Sequence, residues 1–165
     1  MKPFRSRGAE IVGRLDPAEA GVVGLLLDQL EQLLAADADD VGGDPVLARL
    51  LPEGHRGDPE LAADYRELTE ASLRDGKAHD LATVRATLPD GGGEVRLDAD
   101  QAAAWLRSTN DLRLALGVRL DVTEETEPPE EMSGEEDHQL LVYYWLTALQ
   151  GSLVDALVDA RAGRR

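Results

Sequence analysis

The chain has 165 residues and a formal net charge of −16, with 17 Lys and Arg against 33 Asp and Glu. That length suits one domain with a core of its own, and so acidic a surface repels phosphate backbones and anionic lipid heads, which argues against direct nucleic-acid or membrane binding. The absence of cysteine excludes disulfides, thiolate nucleophiles, thiolate metal sites and thiol redox switching, and one Phe, two Trp and three Tyr are too few for a base-stacking platform.

Lys2, Arg5 and Arg7 form a basic N-terminal arm that reads as a solubilising end, and Glu10, Arg14 and Asp16 interrupt any apolar leader behind it. In residues 10–15, Ile11 and Leu15 share one face of a strand and Glu10 and Arg14 the other. Asp16-Pro17 with Glu19 is a capping box, and it opens a helix from Pro17 to about Ala36. Val22, Leu26, Leu30 and Leu33 give that helix its stripe, widened by Val23, Leu27 and Leu34. Asp44-Pro45 starts a short helix to Leu51, and Glu53 to Gly57 reads as a loop.

Asp58-Pro59 opens a helical region towards Leu88, with Leu61, Tyr65 and Leu68 on one stripe and Leu73, Leu81, Val84 and Leu88 on a later one. Asp75-Gly76 offers a break or kink, and Thr69 a cap for a second piece. Residues 89–93, Pro-Asp-Gly-Gly-Gly, form a turn. Val95 and Leu97 then alternate with charges in a strand over 94–97, expected to pair with 10–15 as a two-stranded ribbon. Asp98 with Gln101 caps a helix to about Leu116, where Gly117 reads as a C-cap.

From Asp121 to Asp137 there are nine acidic residues, no basic ones and the pair Pro128-Pro129, which predicts an acidic mobile linker over 121–133. Ser133 with Glu136 suggests a last capping box for a helix from Gly134 to Ala160. Leu140 to Leu149 is apolar except at Thr147, so this helix is expected to be the central post or to carry an oligomer interface as well. The unbroken apolar run, Leu140 to Leu146, is far short of the ~20 residues that span a bilayer, so a cytoplasmic protein is the expectation. The expected fold is mainly α: one helical domain over 1–165, a bundle of five or six helices with a small two-stranded β-ribbon.

Reactive constellations are hard to find. Asp37, Asp39, Gly42 and Asp44 mimic a calcium loop, but Val41 and Ala48 stand where oxygen ligands are required. Glu135-x-x-His138 matches half of a di-iron site, yet Pro52 and Gly76 precede His55 and His79 where a second Glu is needed. No Gly-x-Ser-x-Gly elbow surrounds Ser72, Ser108 or Ser152, and residues 91–93 lack the Gly-Lys-Ser/Thr of a phosphate loop. No catalytic residue, metal ligand or cofactor is therefore expected. The distinctive cluster is Trp105, Asn110, Asp111 and Arg113 on one helix with Tyr144, Trp145 and Gln150 on the last. Its polar groups sit in apolar helices and must find partners, either in an inter-helix network or on a partner-binding surface.

Around these residues the chain resembles a family of actinobacterial proteins classed as a domain of unknown function, some of whose members are described as actinomycete oxidative-stress regulators. Phe4, the segment from Trp105 through Asn110, Asp111, Arg113 and Gly117 to Leu120, and Tyr144 through Thr147 to Gln150 carry the resemblance, in the same order over nearly the whole chain. It implies a non-enzymatic transcriptional regulator of redox homeostasis, acting through a sigma factor or RNA polymerase. Neighbouring genes in the family imply a second role, as an adaptor or accessory protein of Clp proteolysis. Thiol-based sensing has been attributed to the family, so in this cysteine-free chain the sensing is expected in a partner or in a different chemistry. A weak homodimer through the last helix, with no DNA binding of its own, completes the expectation.

Overall fold

A computed structural model describes residues 2–36, 44–51 and 59–163, with side chains for all of these except 2 and 59–68. The expected loop at 53–57, residues 37–43 of the calcium-like run and the Leu61, Tyr65 and Leu68 stripe fall outside what is described. In chain order the elements are β1 (Lys2–Arg7), β2 (Glu10–Leu15), α1 (Pro17–Ala35), α2 (Pro45–Leu50), α3 (Pro59–Thr87), β3 (Gly93–Leu97), α4 (Ala99–Arg119) and α5 (Glu135–Ala162). The protein is mainly helical, with five helices among the described residues and a small antiparallel sheet.

The sheet has three strands in the order β1-β2-β3, one more than the expected ribbon. The predicted pairing is present, Ile11 opposite Leu97 and Gly13 opposite Val95. The extra strand is the basic arm, which folds back through Gly8, at φ +66°, to set Arg7 opposite Glu10 and Arg5 opposite Val12. Lys2, Arg5 and Arg7 therefore belong to an edge strand rather than to a free end. Phe4 anchors it: its ring lies on Gly13, where a Cβ would stand only 2.8 Å from Phe4 Cδ1. Arg5 and Arg96 flank Val12 on the outer face, and Val12 is buried although it points away from the helices.

Helix starts follow the caps. Asp16 accepts from Glu19 N and Asp98 from Gln101 N, each at 2.8 Å, and the reciprocal bonds from Glu19 and Gln101 close both boxes. Asp44 accepts from Val46 N and Leu47 N. At α5 the expected box does not form: Gly134 is the N-cap, and Ser133 donates to Asp137 instead of receiving Glu136. The turn before β3 is glycine chemistry, with φ of +71°, +86° and +140° at Gly91, Gly92 and Gly93. A Cβ on Gly92 would fall 2.7 Å from the backbone between Asp16 and Pro17.

Three expectations are corrected. α3 runs unbroken through Asp75-Gly76, because tertiary contacts hold both sides of the glycine: Arg74 donates to the Leu34 carbonyl, and Lys77 binds Asp111. α4 continues past Gly117 to Arg119, with Leu120 as its cap. Gly117 is there for contact, since its missing Cβ would lie 3.1 Å from the Tyr143 ring. α5 is not a post buried on all sides. Leu146, Leu149, Leu153, Ala156 and Ala160 form one buried stripe against α4 and β1, while Leu141, Val154 and Val158 are exposed. By length and composition α5 could cross a bilayer, although its unbroken apolar run is short.

The core joins the inner sheet face (Phe4, Ile11, Leu15, Val95, Leu97) to α1, α3, α4 and α5. Leu146 is at its centre and completely buried. Replacing it by Asp buries a charge with no counter-ion, so Leu146→Asp should cost more than ~4 kcal/mol and abolish the cooperative thermal transition seen by circular dichroism. An unchanged melting temperature would contradict the packing described.

Candidate functional site

The seven residues singled out in the sequence do not converge on one point; their helices turn them in several directions. On the seam between α4 and α5, which run antiparallel, Gln150 Nε2 donates to Asn110 Oδ1 at 3.2 Å. One turn further, Arg113 Nε donates to Thr147 Oγ1 at 2.9 Å while its guanidinium lies 5.3 Å from the centre of the Tyr143 ring. This ladder of polar bonds fixes the rotation of α5 on α4.

Trp105 and Asp111 face α3 instead. Trp105 is buried, stacks at a tilt on Phe4 with 5.7 Å between ring centres, and donates its indole N–H to Thr87 Oγ1 at 2.7 Å. Asp111 receives Lys77 Nζ at 3.0 Å on both oxygens. Burial pushes the Asp111 carboxyl up, and the Lys77 ammonium pulls it part of the way back. Beside this pair Arg107 grips Asp80 with two bonds, of 2.8 and 2.9 Å. Tyr144 leaves the seam and donates its hydroxyl to the Thr126 carbonyl at 2.7 Å, tying the acidic segment after α4 back onto α5. Trp145 is half-buried, with its indole nitrogen enclosed and without a hydrogen-bond partner among the described residues.

Metal-binding geometry is not assembled among the described residues, where no three His, Asp or Glu side chains cluster. His138 donates from Nδ1 to the Gly134 carbonyl, and Glu135 receives Gln139, so the Glu135-x-x-His138 spacing serves the first turns of α5.

A large concavity lies away from all seven residues. It is a groove of about 860 Å³ between α1 and the first turns of α5, floored by Leu116 and Arg119 of α4. Val22, Leu25, Leu26 and Leu33 line one wall, and Glu135, His138, Gln139 and Val142 the other. The spacing places Val22, Leu26, Leu30 and Leu33 on one stripe, widened by Val23, Leu27 and Leu34. Of these the structure buries Val23, Leu27, Leu30 and Leu34 and turns Val22, Leu26 and Leu33 toward the groove. Eight Val and Leu residues on one helix, more than a single core stripe needs, were the signal that could have revealed it.

The fold and its surface define a small, strongly acidic, mainly helical protein with a polar seam inside and an open apolar groove outside. Residues 1–157 match the family model described as a domain of unknown function, DUF2017, and the chain belongs to that family. It is 33% identical over 175 aligned residues to the oxidative stress regulator AosR of Mycobacterium tuberculosis strain H37Rv, covering 96% of this chain and 78% of that protein. The AosR of Mycobacterium bovis strain AF2122/97 aligns with the same identity and coverage. The putative oxidative stress regulator AosR of Mycobacterium leprae strain TN is 35% identical over 151 residues, covering 80% of this chain and 68% of that protein. No solved structure matches. The resemblance stated from the sequence thus holds at the level of the family.

Lys77→Met tests the α3–α4 pair. It strands the Asp111 carboxylate in the core and raises its pKa further above the unfolded value. For such a group, stability is fully present below the unfolded pKa and is lost as pH rises through the folded one. The variant should therefore be less stable than wild type by about 1–3 kcal/mol at pH 7. The deficit should shrink on acidification, as Asp111 takes up its proton. Urea titrations at pH 7 and pH 5 check this, and a deficit equal at both would count against it.

Proposed function

We propose that this chain is a non-enzymatic regulator of the response to oxidative stress, working by contact with a sigma factor or RNA polymerase rather than by gripping DNA. The observation that carries the reading is the alignment over 96% of the chain with a protein named an oxidative stress regulator. Two features of the chain support the route. A net charge of −16 disfavours a phosphate backbone but steers the protein toward a basic protein surface. The long apolar groove also suits a protein contact better than a reaction centre. With no cysteine in the chain, the oxidant signal is sensed by the partner or by a chemistry other than thiol oxidation.

Affinity purification of the tagged protein from its own cells should recover a sigma factor or polymerase subunits, and the yield should fall as salt is raised. Recovery of Clp subunits alone would replace this reading with the proteolytic one. In a mobility-shift assay at ~150 mM salt the isolated protein should not reach even the ~10⁻⁴–10⁻⁶ M affinity of ordinary non-specific binders. Tight, sequence-selective binding would overturn the charge argument. The proposal includes a weak homodimer across the outward face of α5, where Val154 and Val158 stand exposed one turn apart. A monomer at all concentrations in light scattering would remove that part.

A further inference from the structure

We propose that the groove between α1 and α5 is a docking site for one amphipathic helix of a partner protein, with apolar residues at i, i+3, i+4 and i+7 and Lys or Arg at its flank. The inference rests on the reading of the chain as a regulator that works through protein contact, and it assigns that contact a place and a chemistry.

Among the described residues no helix fills this groove. α1 packs on α3 and α4, and α5 packs on α4 and β1, which leaves a slot between α1 and the start of α5. On α5 the buried stripe of Leu146, Leu149 and Leu153 continues toward the N-terminus as Val142, Gln139, His138 and Glu135. A helix face that is core for four turns thus goes on for two more as a wall of the groove. On α1 the wall runs from Val22 to Ala36, fifteen residues whose ends lie about 21 Å apart at 1.5 Å per residue. That is the length of a helix of four turns and more than a small apolar ligand spans. Leu25 is 58% exposed on this wall, a large apolar side chain left uncovered at the rim.

Charge decides which helix fits. The first turn of α5 carries Glu135, Glu136 and Asp137 at one end of the slot. The lining residues include one Arg, Arg119, and its guanidinium is held by Gln29 Oε1 at 3.1 Å. A second copy would bring another −16 to this acidic rim, whereas a basic flank would be attracted to it. Apolar rungs in a groove with a charged flank are the common grammar of helix-in-groove recognition.

A photo-activated benzophenone amino acid placed at position 25, and separately at 158, in the full-length protein in its own cells tests the proposal. Leu25 and Val158 are both exposed, so neither substitution disturbs the core. The expected result is a cross-link from 25 to a partner segment with the stated spacing and a basic flank. A synthetic peptide of that segment should then bind the purified protein, and Leu25→Arg should weaken it at least ~tenfold with no change in thermal melting. A cross-link from 25 to a second copy, to a lipid or to an acidic or extended segment overturns the assignment, as does a peptide indifferent to Leu25→Arg. The partner captured from 158 but not from 25 overturns the groove and leaves the regulatory reading standing. Capture at neither position overturns both.

Discussion

One aromatic contact holds the two ends of the chain together. Phe4 lies flat on the bare backbone of Gly13, meets Trp105 at 5.7 Å and sends its backbone N–H to Ser152 Oγ at 3.3 Å. Trp105 passes the connection to α3 through Thr87. Five elements, β1, β2, α3, α4 and α5, therefore meet around the only Phe of the chain and one of its two Trp. In so aromatic-poor a sequence there is little redundancy, because no second large ring could take over the junction. Remove it and β1 loses its inner anchor, α5 loses the strand it lies on, and the buried stripe of α5 is left half covered.

Charge is distributed with the same economy. Several of the few cations are engaged inside the fold: Arg85 with Asp28 and Glu31, Arg96 with Glu10 and Glu94, Arg107 with Asp80, and Lys77 with Asp111. The exposed pairs add little to stability because solvent and salt screen them, and their main effect is on register and orientation. The acidic stretch from Asp121 to Asp137 has no basic residue in it at all. The resulting field attracts positively charged surfaces and repels anionic ones. The groove lies beside the acidic end of that stretch, where Glu135 enters α5.

The sequence announces the helix starts because an Asp cap with Glu or Gln three residues later is a local device, and Asp16 and Asp98 work alone. β2 and β3 are legible for a similar reason, since Ile11, Leu15, Val95 and Leu97 alternate with charges. β1 escapes because Phe4 is its single apolar inward residue, too little to show a period of two, and its anchor is the distant Gly13. The continuity of α3 escapes because it depends on Leu34 and Asp111, far away in the chain. α5 misleads since composition records how apolar a helix is but not which faces its neighbours cover. For the site, the sequence picks out polar groups that do engage across helices, such as Asn110 and Gln150. It cannot foresee that Asp111 turns to α3 and Tyr144 to Thr126, because a few tens of degrees of helix rotation decide that. The groove is less legible still, being a space that the packing leaves open.

The fold depends on the seat of Phe4, and a double-mutant cycle measures that contact directly. Gly13→Ala pushes a methyl into the Phe4 ring and should cost about 1–3 kcal/mol in otherwise unchanged protein, read from urea titrations. In a Phe4→Leu background the flexible side chain can give way, and the same substitution should cost at least ~1 kcal/mol less, the coupling expected of residues in contact. An equal cost of Gly13→Ala in both backgrounds would mean that Phe4 does not rest on Gly13, and the junction that joins the N-terminal strand to α4 and α5 would be refuted.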